Sequence, residues 1–334
     1  MSDLYRIFGS EMSPYSVKVR SYFRYKQIPH EWLLRQGDNL EEYKKYARLP
    51  IVPTIATPED EALQDSTPIM ETLDAKFSDP SIHPEDPALC FLSQLIEEFG
   101  DEWGNKWMFH YRWAREVDQI ATAKRLVGEM MAGASEEQMA PMISNVQERM
   151  VGRIGVVGSN ETTAPIIERS FQAGIALLEA HLSERPYLFG GRPCFGDFGL
   201  AAQINAASTD PTAGALLRES APLTCEWHER MLSPIAVGAF ESLSALRPTL
   251  EPFLAGPVRI FLTWSAANAM AIDSGAEEMT VDIDGQAWTQ SVGGPQKYHS
   301  KSLKEIRRKY QAVATHSELS ELLAQAKCLE WLAQ

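Results

Sequence analysis

The segment Asp79 to Pro87, with prolines at 80, 84 and 87, constrains the fold more than any other feature, because it divides the chain into two unlike parts. Prolines lack the N–H that a helix or a ladder needs, so neither element runs through such a cluster. Ahead of it, short β-branched and aromatic runs alternate with amphipathic stretches. Beyond it, helical spacing of apolar residues continues to about residue 245 with no convincing strand. At roughly 100 to 200 residues per domain, a chain of 334 residues has room for two such bodies and something more.

In the first part, Leu4 to Phe8 reads as a strand stopped by Gly9-Ser10. Ser13-Pro14 is a serine cap followed by proline at the first helical position, and Val19, Tyr22, Phe23 and Lys26 follow at helical spacing, giving a helix from about Pro14 to Lys26. His30 to Leu34 reads as a second strand, and Arg35 to Arg48 as a loop with a short helix. Thr54 to Thr57 and Glu61 to Gln64 flank the turn Pro58-Glu59-Asp60 as a hairpin, and Asp65-Ser66 opens a helix to about Phe77. The order is β-α-β, a linker, then β-β-α, over residues 1–82.

The second part, residues 88–250, is expected to be all α, with long helices over Leu89 to Ala114, Ser135 to Met150 and Ile166 to Leu182. Ser135 with Gln138 has capping-box spacing, and so has Ser302 with Glu305. A third part, residues 251–334, carries a hairpin centred on Asp284-Gly285, with helical patterns over Val258 to Ala271, Ser302 to Val313 and Ser317 to Leu332.

Composition removes several function classes. Hydrophobic residues at 44% and charged residues at 23% match ordinary globular chains and leave no case for disorder. Forty-five acidic against thirty-one basic side chains give a net charge of -14, which repels a nucleic-acid backbone or an anionic membrane. Cys90, Cys194, Cys225 and Cys328 are scattered, with no zinc-ligand spacing, so neither a disulfide framework nor a metal site is expected. The first residues show no basic and apolar leader, and Val258 to Ile272 is shorter than the roughly 20 residues that span a bilayer and is interrupted by Arg259. A cytoplasmic protein is the expectation.

Three local features carry chemistry. Ser13 places a hydroxyl at a helix N-terminus, where free N–H groups and the helix dipole favour an anion. Ile51-Val52-Pro53-Thr54 precedes the hairpin with a proline suited to a tight turn. Gln64-Asp65-Ser66 sets a carboxylate and a hydroxyl at the start of a further helix. Singly, each reads as a cap or a turn. In this order within one β-α-β/β-β-α unit, joined to an all-α part, they resemble the cytosolic glutathione transferases, whose thioredoxin-like N-terminal domain precedes a helical one.

The resemblance implies a role for each feature. Ser13-Pro14-Tyr15-Ser16 is similar to a glutaredoxin Cys-Pro-Tyr-Cys with both cysteines replaced by serine, at the place where serine-type transferases activate glutathione. A free thiol has a pKa of about 8.5, so its thiolate needs a donor and a positive field, which Ser13 would supply. Val52-Pro53 would be the family's cis-proline step, pairing with the cysteinyl part of glutathione. Gln64, Asp65 and Ser66 would hold the γ-glutamyl group, Asp65 taking its ammonium. Residues 1 to 50 hold nine basic against six acidic side chains, a local +3 that would steer an anionic tripeptide in. Where many relatives place Lys or Gln, this chain has Ile51, so Arg35, Lys45 or Arg48 would have to meet the glycyl carboxylate. Gly191 to Asp197 resembles the family's Ser/Thr-x-x-Asp capping box with Cys194 at the cap. The tail exceeds the ordinary length of the family.

A second-substrate pocket for a small apolar electrophile is expected from Tyr15, Trp107 and Tyr111, with Trp103 and Trp113 nearby; His110, His181 and His228 read as structural. The implied activity is a serine-type glutathione transferase without a metal, acting as a homodimer. The alternative is a catalytically silent binding or scaffold protein on the same fold, and isomerase, dehalogenase or ether-cleaving chemistry stays open.

Overall fold

The computed structural model describes residues 4–334. Residues 1–3, with Asp3 of the charge count and the start of the segment read for a leader, lie outside the described residues.

The first part forms β1 (Tyr5–Gly9), α1 (Pro14–Tyr25), β2 (His30–Leu34), α2 (Asn39–Tyr46), β3 (Thr54–Ala56), β4 (Ala62–Gln64) and α3 (Ser66–Lys76). The strands make one sheet in the order β2-β1-β3-β4, with β1 and β2 parallel and the other pairs antiparallel. Alternation along β1 explains why both faces are covered. Tyr5 and Ile7 point with Ile55 into the large core beneath α1 and α3, while Phe8 and Ala56 point to the opposite face, where Tyr43 and Tyr46 of α2 close over them. The thioredoxin-like expectation is met, and the Val52-Pro53 peptide is cis, as is Asp79-Pro80.

After the proline-rich segment come α4 (Pro87–Phe99), a π-helical turn (Gly100–Gly104), α5 (Asn105–Ala114), α6 (Glu116–Met130), α7 (Glu136–Val151), α8 (Ala164–Leu182), α9 (Phe195–Ser208), α10 (Pro211–Ser220), α11 (Pro222–Arg230) and α12 (Leu243–Phe253). Helix α9 is buried on nearly every side and packs against α1, α4 and α5, tying the helical bundle to the sheet. Its approach to the π turn is close: a Cβ on Gly100 would sit 2.7 Å from the Leu200 nitrogen. The Ser135–Gln138 capping box forms. At the head of α9 the Cys194 N–H donates to Asp197 Oδ2 at 2.8 Å, so the box keeps its acidic half without a hydroxyl at the cap. Burial pushes the Asp197 carboxyl up to about 6, opposed by N–H donors from Leu188, Cys194 and Trp227.

The third part is α13 (Arg259–Asp273), β5 (Glu278–Ile283), β6 (Gln286–Ser291), α14 (Gly294–Gln311), α15 (Ser317–Gln325) and α16 (Leu329–Leu332). Asp284 and Gly285 turn the hairpin with φ of 52° and 79°, the left-handed pair that a two-residue connection needs. Two expectations need correction. Ser302 lies inside α14, which begins at Gly294, so its spacing to Glu305 is no helix start. The last helical pattern is also broken, between α15 and α16, at Ala326 to Cys328, where Lys327 has φ 55°. The tail is anchored by Trp264 and Trp288, which pack on Trp103, and by Leu303, Ile306 and Tyr310 of α14. None of the described helices is long and apolar enough to cross a membrane.

Candidate functional site

A cavity of about 960 Å³ opens between the loop before β3, the N-terminus of α3, the wall made by α4 and the π turn, and α14 of the tail. Val52, Pro53, Gln64, Asp65 and Ser66 all line it, brought together from two separated stretches of chain. Val52 lies outside the ladder, and its backbone has no hydrogen-bond partner among the described residues. Arg35 and Arg48 reach the cavity; Lys45 does not.

Each lining residue is held by a distinct device. The Gln64 amide is used up within the protein. Its Oε1 accepts from the Arg48 and Leu49 N–H groups at 2.8 and 3.0 Å, and its Nε2 donates to the Leu49 carbonyl and the Thr54 hydroxyl at 2.9 and 2.8 Å. Gln64 therefore fixes the loop that presents Val52 and has no polar atom left for a ligand. Asp65 has φ 74° and ψ 127°, a conformation that costs a non-glycine residue on the order of 1–3 kcal/mol and that clusters at ligand sites. Its carboxylate does not cap α3; instead the Tyr298 hydroxyl of α14 donates to Oδ2 at 2.5 Å. Ser66, the first residue of α3, is buried, with its Oγ 3.3 Å from Lys18 Nζ.

Lys18 lies wholly inside the junction of sheet and bundle, bound to Asp101 at 2.7 Å and in tighter contact with Glu97. Burial by itself lowers a lysine pKa, but the facing Asp101 and Glu97 carboxylates outweigh it and hold Lys18 above the usual range. One cation cannot compensate this wall. Glu97, Glu98, Asp101 and Glu102 all face the cavity, and burial with mutual repulsion raises Glu98 well above a normal carboxyl and pushes Asp101 up to about 7. Lys106 of α5 is pushed down to about 7 by burial, against the attraction of Glu102; its Nζ donates to the Val157 carbonyl at 3.2 Å and sits 3.7 Å from the Trp264 ring centroid.

The remaining expected residues divide. Tyr15 lines the cavity and donates its hydroxyl to the Asp101 carbonyl at 2.9 Å; burial, then the charges of Asp101 and Glu102, hold its phenol well above the usual range. Ser13 is the N-cap of α1, its Oγ accepting from the Ser16 N–H at 3.3 Å, and it is not part of the cavity lining. Trp107 and Tyr111 do not reach the cavity either. They are 1% and 0% exposed, packed on Phe171, and the Trp107 indole N–H donates to Ser170. Large aromatic side chains at i, i+4 serve the bundle core here. The pocket wall comes instead from Glu98, Asp101, Glu102, Lys106 and, from the tail, Tyr298 and His299, none of which the sequence reading singled out. An acidic stripe at i, i+3 and i+4 ordinarily faces solvent, and only the interleaving of Phe99 and Trp103 with Glu98, Asp101 and Glu102 hints otherwise.

Residues 7–81 match the family described as Glutathione S-transferase, N-terminal domain. No curated protein matches the chain in sequence. Among solved structures, similar ones include a glutathione S-transferase from Rhodospirillum rubrum F11, 17% identical over 74% of this chain and 92% of that one, with a TM-score of 0.42. A second, from Methylobacterium radiotolerans JCM 2831 in complex with glutathione sulfonate, is 21% identical over 72% and 99%, at 0.39. A third, the beta-etherase LigF from Sphingobium sp. strain SYK-6, is 18% identical over 74% and 98%, at 0.42. None is near enough in sequence or superposition to carry a function across. The family match is different in kind, since it runs from within β1 to beyond α3, and it identifies residues 7–81 as a domain of the glutathione S-transferase N-terminal family.

Proposed function

We propose that the cavity binds glutathione and that the chain is a glutathione transferase. The observation that carries this reading is the meeting of Val52-Pro53 and Asp65-Ser66 on one cavity wall at the mouth of α3. The γ-glutamyl carboxylate would sit on the free N–H groups of α3 beside Ser66, and its ammonium on the Asp65 oxygen that Tyr298 leaves open. The Val52 backbone would pair with the cysteinyl unit, and Arg35 or Arg48 would meet the glycyl carboxylate. Ser13 would donate its hydroxyl hydrogen to the sulfur while its oxygen caps α1. The thiol proton leaves to solvent, and the thiolate forms a carbon–sulfur bond with a small electrophile, whose carbon either loses a leaving group with the bonding pair to solvent or, in a conjugate addition, gives up its π bond to the neighbouring carbon, which takes a proton from solvent. Cytoplasmic location and assembly as a homodimer belong to the same proposal.

The second reading, a binding protein without turnover, is favoured by the position of Ser13 off the cavity lining. Retention on immobilised glutathione and elution by free glutathione test the shared part of both readings. Turnover of model electrophiles separates them. A protein that is not retained is neither.

A further inference from the structure

The tail brings to the cavity a histidine already oriented for proton transfer. His299 of α14 lines the cavity, and its Nδ1 is buried in close contact with a carboxylate oxygen of Glu102 on the π turn. Its Nε2 has no hydrogen-bond partner among the described residues and, unlike Nδ1, is not sealed from solvent. A carboxylate that holds one ring nitrogen fixes the tautomer and leaves the other nitrogen to give or take a proton.

The ring is held firmly. Trp264 of α13 meets it edge to face, with centroids 5.0 Å apart. Next to it in sequence, the Tyr298 hydroxyl is tied to Asp65. One turn earlier, the Gln296 carbonyl accepts from Asn268 at 2.8 Å and its amide donates to the Val156 carbonyl at 3.0 Å. A side chain positioned in this way has little freedom left to lose when it meets a substrate. Its place also fits, because Tyr15, two residues from Ser13, interacts with both Glu102 and Tyr298. His299 and Glu102 therefore stand on the side of the cavity where α1 begins. The ionisable groups on the adjoining walls are Glu98, Asp101, Tyr15, Asp65, Lys106 and Lys301. Of the proton donors among them, the Tyr15 hydroxyl is spent on the Asp101 carbonyl and the Lys106 amine is turned to the Val157 carbonyl.

We infer that His299, positioned by Glu102, is a catalytic proton donor to the second substrate, an electrophile that develops an oxyanion as sulfur attacks: an epoxide or an α,β-unsaturated carbonyl compound. The inference rests on the transferase reading above. In epoxide opening the thiolate forms the carbon–sulfur bond, the carbon–oxygen bond breaks with its electron pair on oxygen, and that oxygen takes the Nε2 proton. His299 then recovers a proton from solvent, matching the one the thiol released. In addition to an unsaturated carbonyl, the π electrons move through the neighbouring carbon to the carbonyl oxygen, which takes the same proton. The enol so formed passes its proton to solvent as that carbon takes one up.

Turnover of three probes with glutathione by the full chain, His299→Gln and Glu102→Gln tests this from about pH 6 to 9. Styrene oxide and 4-phenylbut-3-en-2-one develop an oxyanion, whereas 1-chloro-2,4-dinitrobenzene expels chloride, which takes no proton. The expected result is that kcat for the first two, relative to the third, falls about a hundredfold in His299→Gln and about tenfold in Glu102→Gln. In the wild type that ratio is expected to decline with rising pH as the imidazole loses its proton, and in His299→Gln the decline is expected to vanish. An unchanged ratio in His299→Gln, or wild-type turnover of the aryl chloride with neither oxygen electrophile accepted, overturns the inference and leaves the transferase reading. If His299→Gln turns over none of the probes, the wild-type profile decides, and a ratio flat across the pH range overturns the inference. Turnover of no probe by the wild type removes both.

Discussion

At the scale of single residues, Ser13 and Lys106 give opposite kinds of test. Ser13 Oγ already accepts a cap bond from Ser16, and only its hydrogen is free to reach a thiol. Ser13→Ala is therefore expected to cost about 0.5–2 kcal/mol of stability through the cap. If Ser13 also donates to sulfur, the thiol of bound glutathione rises by about one to two pKa units, because a hydrogen bond to a charged group is worth about 1.5–3 kcal/mol. Thiolate absorbance against pH reads this directly, and superimposable titrations in the two proteins would leave Ser13 as a cap alone. Lys106 carries its prediction through burial. Its folded-state pKa of about 7 lies below the unfolded value of about 10.4, so the unfolded chain binds the extra proton between them. Stability contributed by this group therefore rises with pH from about 7 to 10, by at most about 1.4 kcal/mol per pH unit, and is lowest below pH 7. Lys106→Met is expected to remove that slope in denaturant unfolding and to gain most over the wild type at and below pH 7. An unchanged slope would mean that Lys106 is charged in the folded protein. Neither the lysine nor the acidic wall was legible from the sequence, because a charged side chain shows its burial only when α14 is known to lie across it.

At the scale of elements, local signals read well where one residue dictates one geometry. Pro14 behind Ser13, the Asp284-Gly285 turn and the Ser135 box each formed as their chemistry requires. They misled where a pattern has two causes. Ser302 and Glu305 share box spacing but also ordinary i, i+3 spacing within α14, and Gly293-Gly294-Pro295 was the stronger start signal. The Trp107–Tyr111 pair faces Phe171 because α8 lies against α5, a tertiary choice that periodicity does not encode. Helix α14 matters most, since its ties to Asp65, Glu102 and Glu71 span the cavity mouth. With Leu303, Ile306 and Tyr310 buried, the tail is expected to stay on the body under limited proteolysis, the intact chain outlasting any fragment ending near residue 293. Early, clean loss of residues beyond that point would show that its packing is weak.

For the whole molecule, the sheet domain was legible almost residue by residue, because most of its seven short elements carry a start or stop signal and the family motifs lie among them. The helical bundle was legible as a class but not as a layout, since α9 is apolar on nearly all sides and shows no face to read. The tail's role was not legible at all: its partners on Asp65, Glu71 and Glu102 lie some 200 residues away in sequence. A homodimer is expected, with a sedimentation mass twice the chain's 37.3 kDa; the single-chain mass at micromolar concentration would reject it. The central claim is that glutathione is held at the mouth of α3, where Ser66 meets the strained Asp65. Calorimetric titration of the wild type and Ser66→Ala with glutathione tests it most directly. The expected result is one saturable site per chain in the wild type and about tenfold weaker binding in the variant. No saturable binding, or equal affinity in both proteins, would contradict it.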